Sequence, residues 1–175
     1  MRRLLDLNRP GKEAKQFVNV NSIIEDTLGL LQSYLLKNHV NMDVALSSIT
    51  PTIYASSQQL GHVFMNLITN AVEAMTGMTK SDGAGEKSEP AERRIAVSSE
   101  VDGGMIIIKV SDTGPGILEE DLEQLFDFFY TRKKEKGMGI GLAVCHGIIE
   151  SHHGSISALN APDGGAVFTI KLPIE

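Results

Sequence analysis

The chain has one cysteine, Cys145, no tryptophan, and aromatic side chains at only 5% of its 175 positions. A single thiol excludes an internal disulfide, and with it the small stapled scaffolds of secreted proteins. A reducing, cytoplasmic setting is expected, whether for a free protein or for the cytoplasmic part of a membrane-anchored one. No apolar run approaches the roughly 20 residues that cross a bilayer. The opening MRRLLDLNRP has a basic flank but no long apolar region, so it does not read as a signal peptide. Basic charge is also short: the net charge is −6, which argues against a nucleic-acid binder. The basic residues that cluster are Arg132, Lys133, Lys134 and Lys136. Three common site signatures are missing. There is no GxxxxGK[ST] and no HExxH, and GxGxxG fails because Leu142 stands where its third glycine belongs.

What remains is ordinarily globular, 42% apolar and 22% charged, and long enough for one domain with a sizeable core. Ser22 to Asn38 reads as a helix, with Ile24, Leu28, Leu31 and Leu35 on one face and a capping box at Ser22 and Glu25. Val40 to Leu46 alternates as a strand, and Thr52 to Ala55 reads as a second, shorter one. Ser57 to Met75 is a long helix. Leu60, Val63, Phe64, Leu67, Ile68, Ala71 and Met75 form its apolar face, and His62, Asn66, Asn70 and Glu73 form a polar stripe nearly opposite. Thr76 to Arg94 has no apolar periodicity and reads as a surface insertion.

Ile95 to Val101 and Met105 to Val110 make a hairpin about Asp102-Gly103-Gly104. The four consecutive apolar residues of its second arm suit a central strand. A short helix from Leu118 to Phe126 and a helix from Leu142 to His153, capped by Gly154, follow. Ser155 to Leu159 and Ala166 to Leu172 form a last hairpin. Six strands and four helices in this order predict an α+β fold, a mixed and mostly antiparallel sheet with helices on one face.

The stretch from Lys109 to Gly154 concentrates the chemistry. Asp112 ends a buried strand ahead of Gly114 and Gly116. Its carboxylate suits an exocyclic amine such as that of adenine, and equally suits an Asx turn. Asn66 and Asn70 offer amide oxygens one turn apart, as ligands for a hard cation such as magnesium or as solvated polar residues. Gly137, Gly139 and Gly141 open a helix whose free amides suit phosphate, or they make a tight turn. The basic cluster reads as a lid over phosphates or as a solvated loop. His152-His153 reads as a positively charged helix carboxyl end before it reads as a metal site.

Together these residues resemble the sensor histidine kinases. Asn66-Leu-Ile-Thr-Asn70-Ala71 resembles their N box, Asp112-Thr-Gly114-Pro-Gly116-Ile117 their G1 box, Phe126-Asp-Phe-Phe129 with Thr131 and Lys133 their F box, and Gly137-Met138-Gly139-Ile140-Gly141-Leu142 their G2 box. Gly164-Gly165 with Phe168 and Leu172-Pro173 resembles the closing hairpin. The stretch from Gly137 to Gly154 resembles the nitrogen-regulation-type and oxygen-sensing two-component kinases. The resemblance implies the Bergerat two-layer sandwich shared with gyrase, heat-shock chaperone and MutL ATPases, and the cofactors ATP and Mg2+.

It also implies roles by position. Asn66 and Asn70 are catalytic, with Asn70 the magnesium ligand, and Asp112 takes adenine. Gly114, Gly116, Ile117, Phe129, Thr131, Lys133, Gly137, Met138, Gly139, Ile140, Gly141, Leu142 and Thr169 join them in holding nucleotide. Residues 12–175 then form the ATP-binding domain, with insertion 76–94 and ATP lid 127–137, and residues 1–11 end a preceding dimerisation helix. The implied reaction is transfer of the γ-phosphoryl to a histidine on a separate dimerisation domain, with a response regulator downstream. That histidine is absent here, so no autophosphorylation of the chain alone is expected. The implied full-length protein is a homodimer and the isolated domain a monomer. The alternatives are a gyrase-type or MutL-type ATPase, whose glutamate base is replaced here by Asn66, and a non-catalytic nucleotide-binding interaction module.

Overall fold

Strand β5, Met105–Asp112, runs through the middle of a five-stranded sheet and carries Asp112 at its end. The computed structural model describes residues 14–49, 52–77, 92–127 and 140–174. In chain order the elements before β5 are β1 (Gln16–Asn19), α1 (Val20–Lys37), β2 (Asn41–Ala45), β3 (Thr52–Ala55), α2 (Ser57–Gly77) and β4 (Arg94–Asp102). After it come α3 (Glu119–Leu122), α4 (Gly141–Ser151), β6 (Ser155–Asn160) and β7 (Ala166–Pro173). The sheet order is β2-β4-β5-β7-β6, with only the β2–β4 pair parallel. The mixed, mostly antiparallel sheet read from the sequence is therefore present, and the apolar strand is central as expected.

Period-two alternation decides what the sheet buries. Ile106, Ile108, Val110 and Asp112 face inward on β5, as do Ile95 and Val97 on β4 and Phe168, Ile170 and Leu172 on β7. Leu60, Phe64, Leu67 and Ile68 of α2 are fully buried in the same core, at 0 to 1% exposure. Burying a side chain of this size contributes about 1.5–3 kcal/mol relative to leaving it in water. The α2 face that supplies these residues is the one its periodicity predicts.

Several expectations are corrected. A strand at Gln16–Asn19 was not expected. It pairs antiparallel with β3 in a separate two-stranded sheet, so β3 does not join the main one. Helix α1 starts at Val20 and is capped by Asn19, whose side chain accepts the Ser22 amide at 3.3 Å. Ser22 thus lies inside the first turn, and its capping box with Glu25 does not form. The amphipathic helix expected from Leu118 to Phe126 shortens to Glu119–Leu122, with Leu118 exposed and Asp121 buried. Three acids in the first turn favour the amino end of this helix, and Leu125 and Phe126 reach the core from the turns that follow it.

Gly154 does not supply the left-handed cap of α4. His153 does, at φ 58°, and the Gly154 amide returns to the Ile149 carbonyl at 3.0 Å. His39 ends α1 the same way at φ 55°, with Val40 returning to Leu35 at 3.1 Å. Gly154 is instead needed for close approach, since a Cβ there would lie 2.4 Å from the Lys171 carbonyl on β7. The segments 1–11 and most of 76–94 and 127–137, assigned above to a preceding helix, an insertion and a lid, lie outside the described residues. No helix among the described residues is long and apolar enough to cross a membrane.

Candidate nucleotide site

Asp112 is 8% exposed, and its Oδ1 accepts the Gly114 amide at 2.8 Å and the Ala166 amide at 3.4 Å. The first bond is an Asx turn, so the plainer of the two sequence readings holds for one oxygen. Oδ2 accepts no hydrogen bond from a described residue and remains for a ligand donor. Burial raises the carboxyl above the usual carboxylate value, and the amides of Gly114 and Ala166 pull it partly back. A buried anion whose second oxygen lacks a donor is poised for an amine.

The loop after Asp112 is held by a residue the sequence reading missed. The side-chain amide of Asn160, at the end of β6, takes the Ile117 N–H at 2.7 Å and donates to the Ile117 carbonyl at 2.6 Å. It substitutes for a strand partner beside the G1 residues Gly116 and Ile117. No sequence periodicity signals this, because it depends on the turn that brings β6 beside the loop. Asn160→Ala removes both bonds, each worth about 1 kcal/mol net. The expected result is a folded protein with nucleotide affinity about tenfold weaker, measured by calorimetry.

On α2 the stripe residues Asn66 and Asn70 are half-buried and joined: Asn70 Nδ2 donates to Asn66 Oδ1 at 2.8 Å. The bond fixes the Asn70 amide so that its Oδ1, which accepts no hydrogen bond from a described residue, is presented away from Asn66. The first residue of α4 lies against the same pair, since a Cβ on Gly141 would sit 2.5 Å from Asn66 Nδ2. The amino end of α4, where amides lack helical partners, is thus brought to the amides of α2. Ile140 and Leu142 flank it, both half-buried. Phe126 packs on His146 of α4 at 5.6 Å between ring centroids, which anchors one end of the F-box segment. His62 and Glu73, the outer members of the stripe, are exposed.

Thr169 is not brought to the site. Its register partner on β5 is Lys109, and both belong to the sheet face opposite that of Val110, Asp112 and Phe168. Ala166, through its backbone, is the β7 residue that reaches Asp112. Phe129, Thr131, Lys133, Gly137, Met138 and Gly139 lie outside the described residues. Cys145 is buried within α4 and its thiol is pushed up to about 12, which removes it as a nucleophile. His152 is buried and accepts a backbone amide, so the charged helix end expected of it is not realised.

The sensor histidine kinase TmoS of Ectopseudomonas mendocina is 35% identical over 169 residues, 97% of this chain and 16% of TmoS. The sensor histidine kinase ZraS of Escherichia coli K12 is 31% identical over 172 residues, 98% of this chain and 34% of ZraS. The chain therefore spans about a third or less of the length of these relatives. The nucleotide-free catalytic domain of histidine kinase ThkA matches with a TM-score of 0.76 at 26% identity, over 91% of this chain and 95% of that one. With the sheet order and this site geometry in place, the match of residues 55–175 to the histidine kinase-, DNA gyrase B- and HSP90-like ATPases means that this chain belongs to that family.

Proposed function

We propose that this chain is the ATP-binding catalytic domain of a two-component sensor histidine kinase. It would deliver the γ-phosphoryl to a histidine on a dimerisation domain outside these residues, with a response regulator as the downstream acceptor. The observation that carries the reading is that three groups gather along α2, the loop after Asp112 lying against its carboxyl end, where a Cβ on Gly114 would meet Met75 at 3.3 Å. Asp112 offers one carboxylate oxygen that accepts no bond from a described residue, the Asn66–Asn70 pair offers an oriented amide oxygen, and the amino end of α4 lies against that pair. In this arrangement Asp112 takes the exocyclic amine of adenine, and the Asn160-held loop lets the ring approach. The amides opening α4 face phosphate.

Asn70 Oδ1 is the ligand that the described residues would give to magnesium. A hard oxygen donor held by a neighbouring amide suits an ion that otherwise keeps waters and phosphate oxygens. Magnesium, when bound, neutralises phosphate charge. Asn66 holds Asn70 in place and offers no carboxylate to activate water. That favours transfer to a positioned histidine over hydrolysis, since phosphoryl transfer depends on positioning and charge neutralisation.

Calorimetric titration of ATP with and without magnesium tests this. The unmodified chain should bind in a magnesium-dependent way without turnover, and Asn70→Ala should keep binding but lose most of its dependence on magnesium. Addition of a histidine-bearing dimerisation domain should then yield phosphohistidine. Steady ATP hydrolysis by the chain alone, abolished by changes at Asn66 or Glu73, would replace this reading with a gyrase-type ATPase. Absence of ATP binding would favour a non-catalytic module.

A further inference from the structure

His152 is a buried imidazole that nucleotide contact does not use. It follows the last turn of α4 and is 4% exposed. Its Nε2 accepts the Ser56 amide hydrogen at 3.0 Å, and its Nδ1 lies 2.8 Å from the Ile148 carbonyl. A backbone amide only donates and a carbonyl only accepts. Nε2 is therefore bare, Nδ1 carries the proton and the ring is neutral. Ser56 immediately precedes α2, and its Oγ accepts the Gln59 amide at 3.3 Å, capping that helix. The bond to His152 thus ties the end of α4 to the start of α2.

The two helices run antiparallel and meet again where Gly141 lies against Asn66. About 15 Å of α2 separates Ser56 from Asn66 and about 16 Å of α4 separates His152 from Gly141, at 1.5 Å per residue. Two rods of matched length are held at both ends. A shift of α4 along its axis would break the bond at the histidine end and change how far its amino end reaches past Asn66.

We propose that neutral His152 is a positioning residue for the nucleotide site. Its bond to Ser56 holds α4 in the register that sets Gly141 against the Asn66–Asn70 pair, and protonation of the ring releases that hold. The inference rests on the nucleotide reading above. The surroundings keep the ring neutral: burial is the main cause, the Ile148 carbonyl opposes it, and the charges of Lys15 and His153 add to it. The amino end of α2, which has no acidic residue in its first turn, also faces the ring. Lys15, just before β1, donates to the Ser151 carbonyl beside it. The nearest acid along α4, Glu150, is exposed and turned to His146 at 3.5 Å. Gly154 and Ser155, where the chain enters β6, bring no charge.

The test compares the whole chain with His152→Gln and His152→Leu. Glutamine keeps an acceptor for Ser56 without titrating, and leucine removes the acceptor. Magnesium-ATP is titrated into each from about pH 7.5 to about pH 5.5, across the ordinary histidine range, with folding followed by far-UV circular dichroism. Protonation of ATP itself is common to all three, so the differences between proteins are the readout. The unmodified chain should lose affinity on acidification beyond the loss seen in the Gln variant. The Leu variant should bind roughly fivefold to tenfold more weakly at every pH while still folded, a fold-change of the size expected for one lost hydrogen bond.

Without nucleotide, the Gly141 amide resonance should titrate in the unmodified chain and stay fixed in the Gln variant. Superimposable pH profiles for the unmodified chain and Gln variant, or a folded Leu variant that binds normally, would overturn the proposal. The Gln comparison decides if the Leu variant does not fold. No ATP binding by the unmodified chain would instead overturn the nucleotide reading and this inference with it. The Gly141 titration separates that outcome from a failure of the pin itself.

Discussion

Asp112→Asn is expected to weaken nucleotide binding about a hundredfold and at the same time to raise the melting temperature at neutral pH. The two effects have one cause. Oδ1 is fixed by the amides of Gly114 and Ala166, so the asparagine amide must place its NH2 where Oδ2 stood. An acceptor for the adenine amine becomes a donor facing a donor. Loss of a charge-assisted hydrogen bond costs about 1.5–3 kcal/mol, and the mismatch adds to it.

The stability effect has the opposite sign because burial raises the Asp112 carboxyl in the folded state. A carboxyl raised on folding stabilises only where it is protonated. Its contribution is complete below the ordinary carboxylate value near 3.8 and is lost as pH rises through the folded value. At neutral pH the ionised group is a standing cost, which asparagine removes. Each kcal/mol relieved raises the melting temperature by roughly 2–4 °C in a domain of this size. The gain should shrink as pH falls into the acid range. Thermal melts at pH 7 and pH 4, beside calorimetry with ATP, check both effects. A variant both destabilised and binding-deficient would show that Asp112 serves the fold rather than the ligand.

This opposition explains why the candidate site could be proposed from the sequence without knowledge of the sheet. Asp112, Asn66, Asn70 and Gly141 are residues whose local environment is poor for stability. They include a buried acid and two asparagines inside a helix, where asparagine ranks low as a helix former. Their order along the chain carried the resemblance without any knowledge of the sheet. What stayed hidden was long-range. Thr169 was placed at the site because it lies in the strand that closes it. Only the register Lys109↔Thr169 reveals that its side chain leaves by the other face. Strand neighbours β5 and β7 are separated by α3, α4 and β6 in sequence, so no local pattern sets their relative phase. Asn160 was missed, and His152 was misread as a charged helix end, for the same reason: their partners, Ile117 and Ser56, are 43 and 96 residues away. Strand β1 was missed because four residues, only one of them buried, give no alternation to read.

The largest structural effect is expected at a glycine pair with its own control. Gly164 and Gly165 sit side by side in the β6–β7 turn at φ 95° and 86°, conformations that any L side chain resists. A Cβ on Gly164 meets nothing within 4 Å, whereas one on Gly165 would lie 1.8 Å from the Asp112 carbonyl oxygen. Both alanine variants incur backbone strain of about 1–3 kcal/mol. Only Gly165→Ala adds a clash with main chain, which cannot turn aside as a side chain can, and overpacking of this kind costs about 1–3 kcal/mol more. Against a total stability of about 5–15 kcal/mol, Gly165→Ala should lower the melting temperature by roughly 5–20 °C, and Gly164→Ala by about half of that. Gly165→Ala should also abolish nucleotide binding in whatever fraction folds. The clash bears on the carbonyl of Asp112 itself, and the Ala166 amide that holds its carboxylate is the next residue. Paired thermal melts decide the matter: equal losses in the two variants would mean that strain alone acts, and that the approach of the β6–β7 turn to Asp112 does not shape the site.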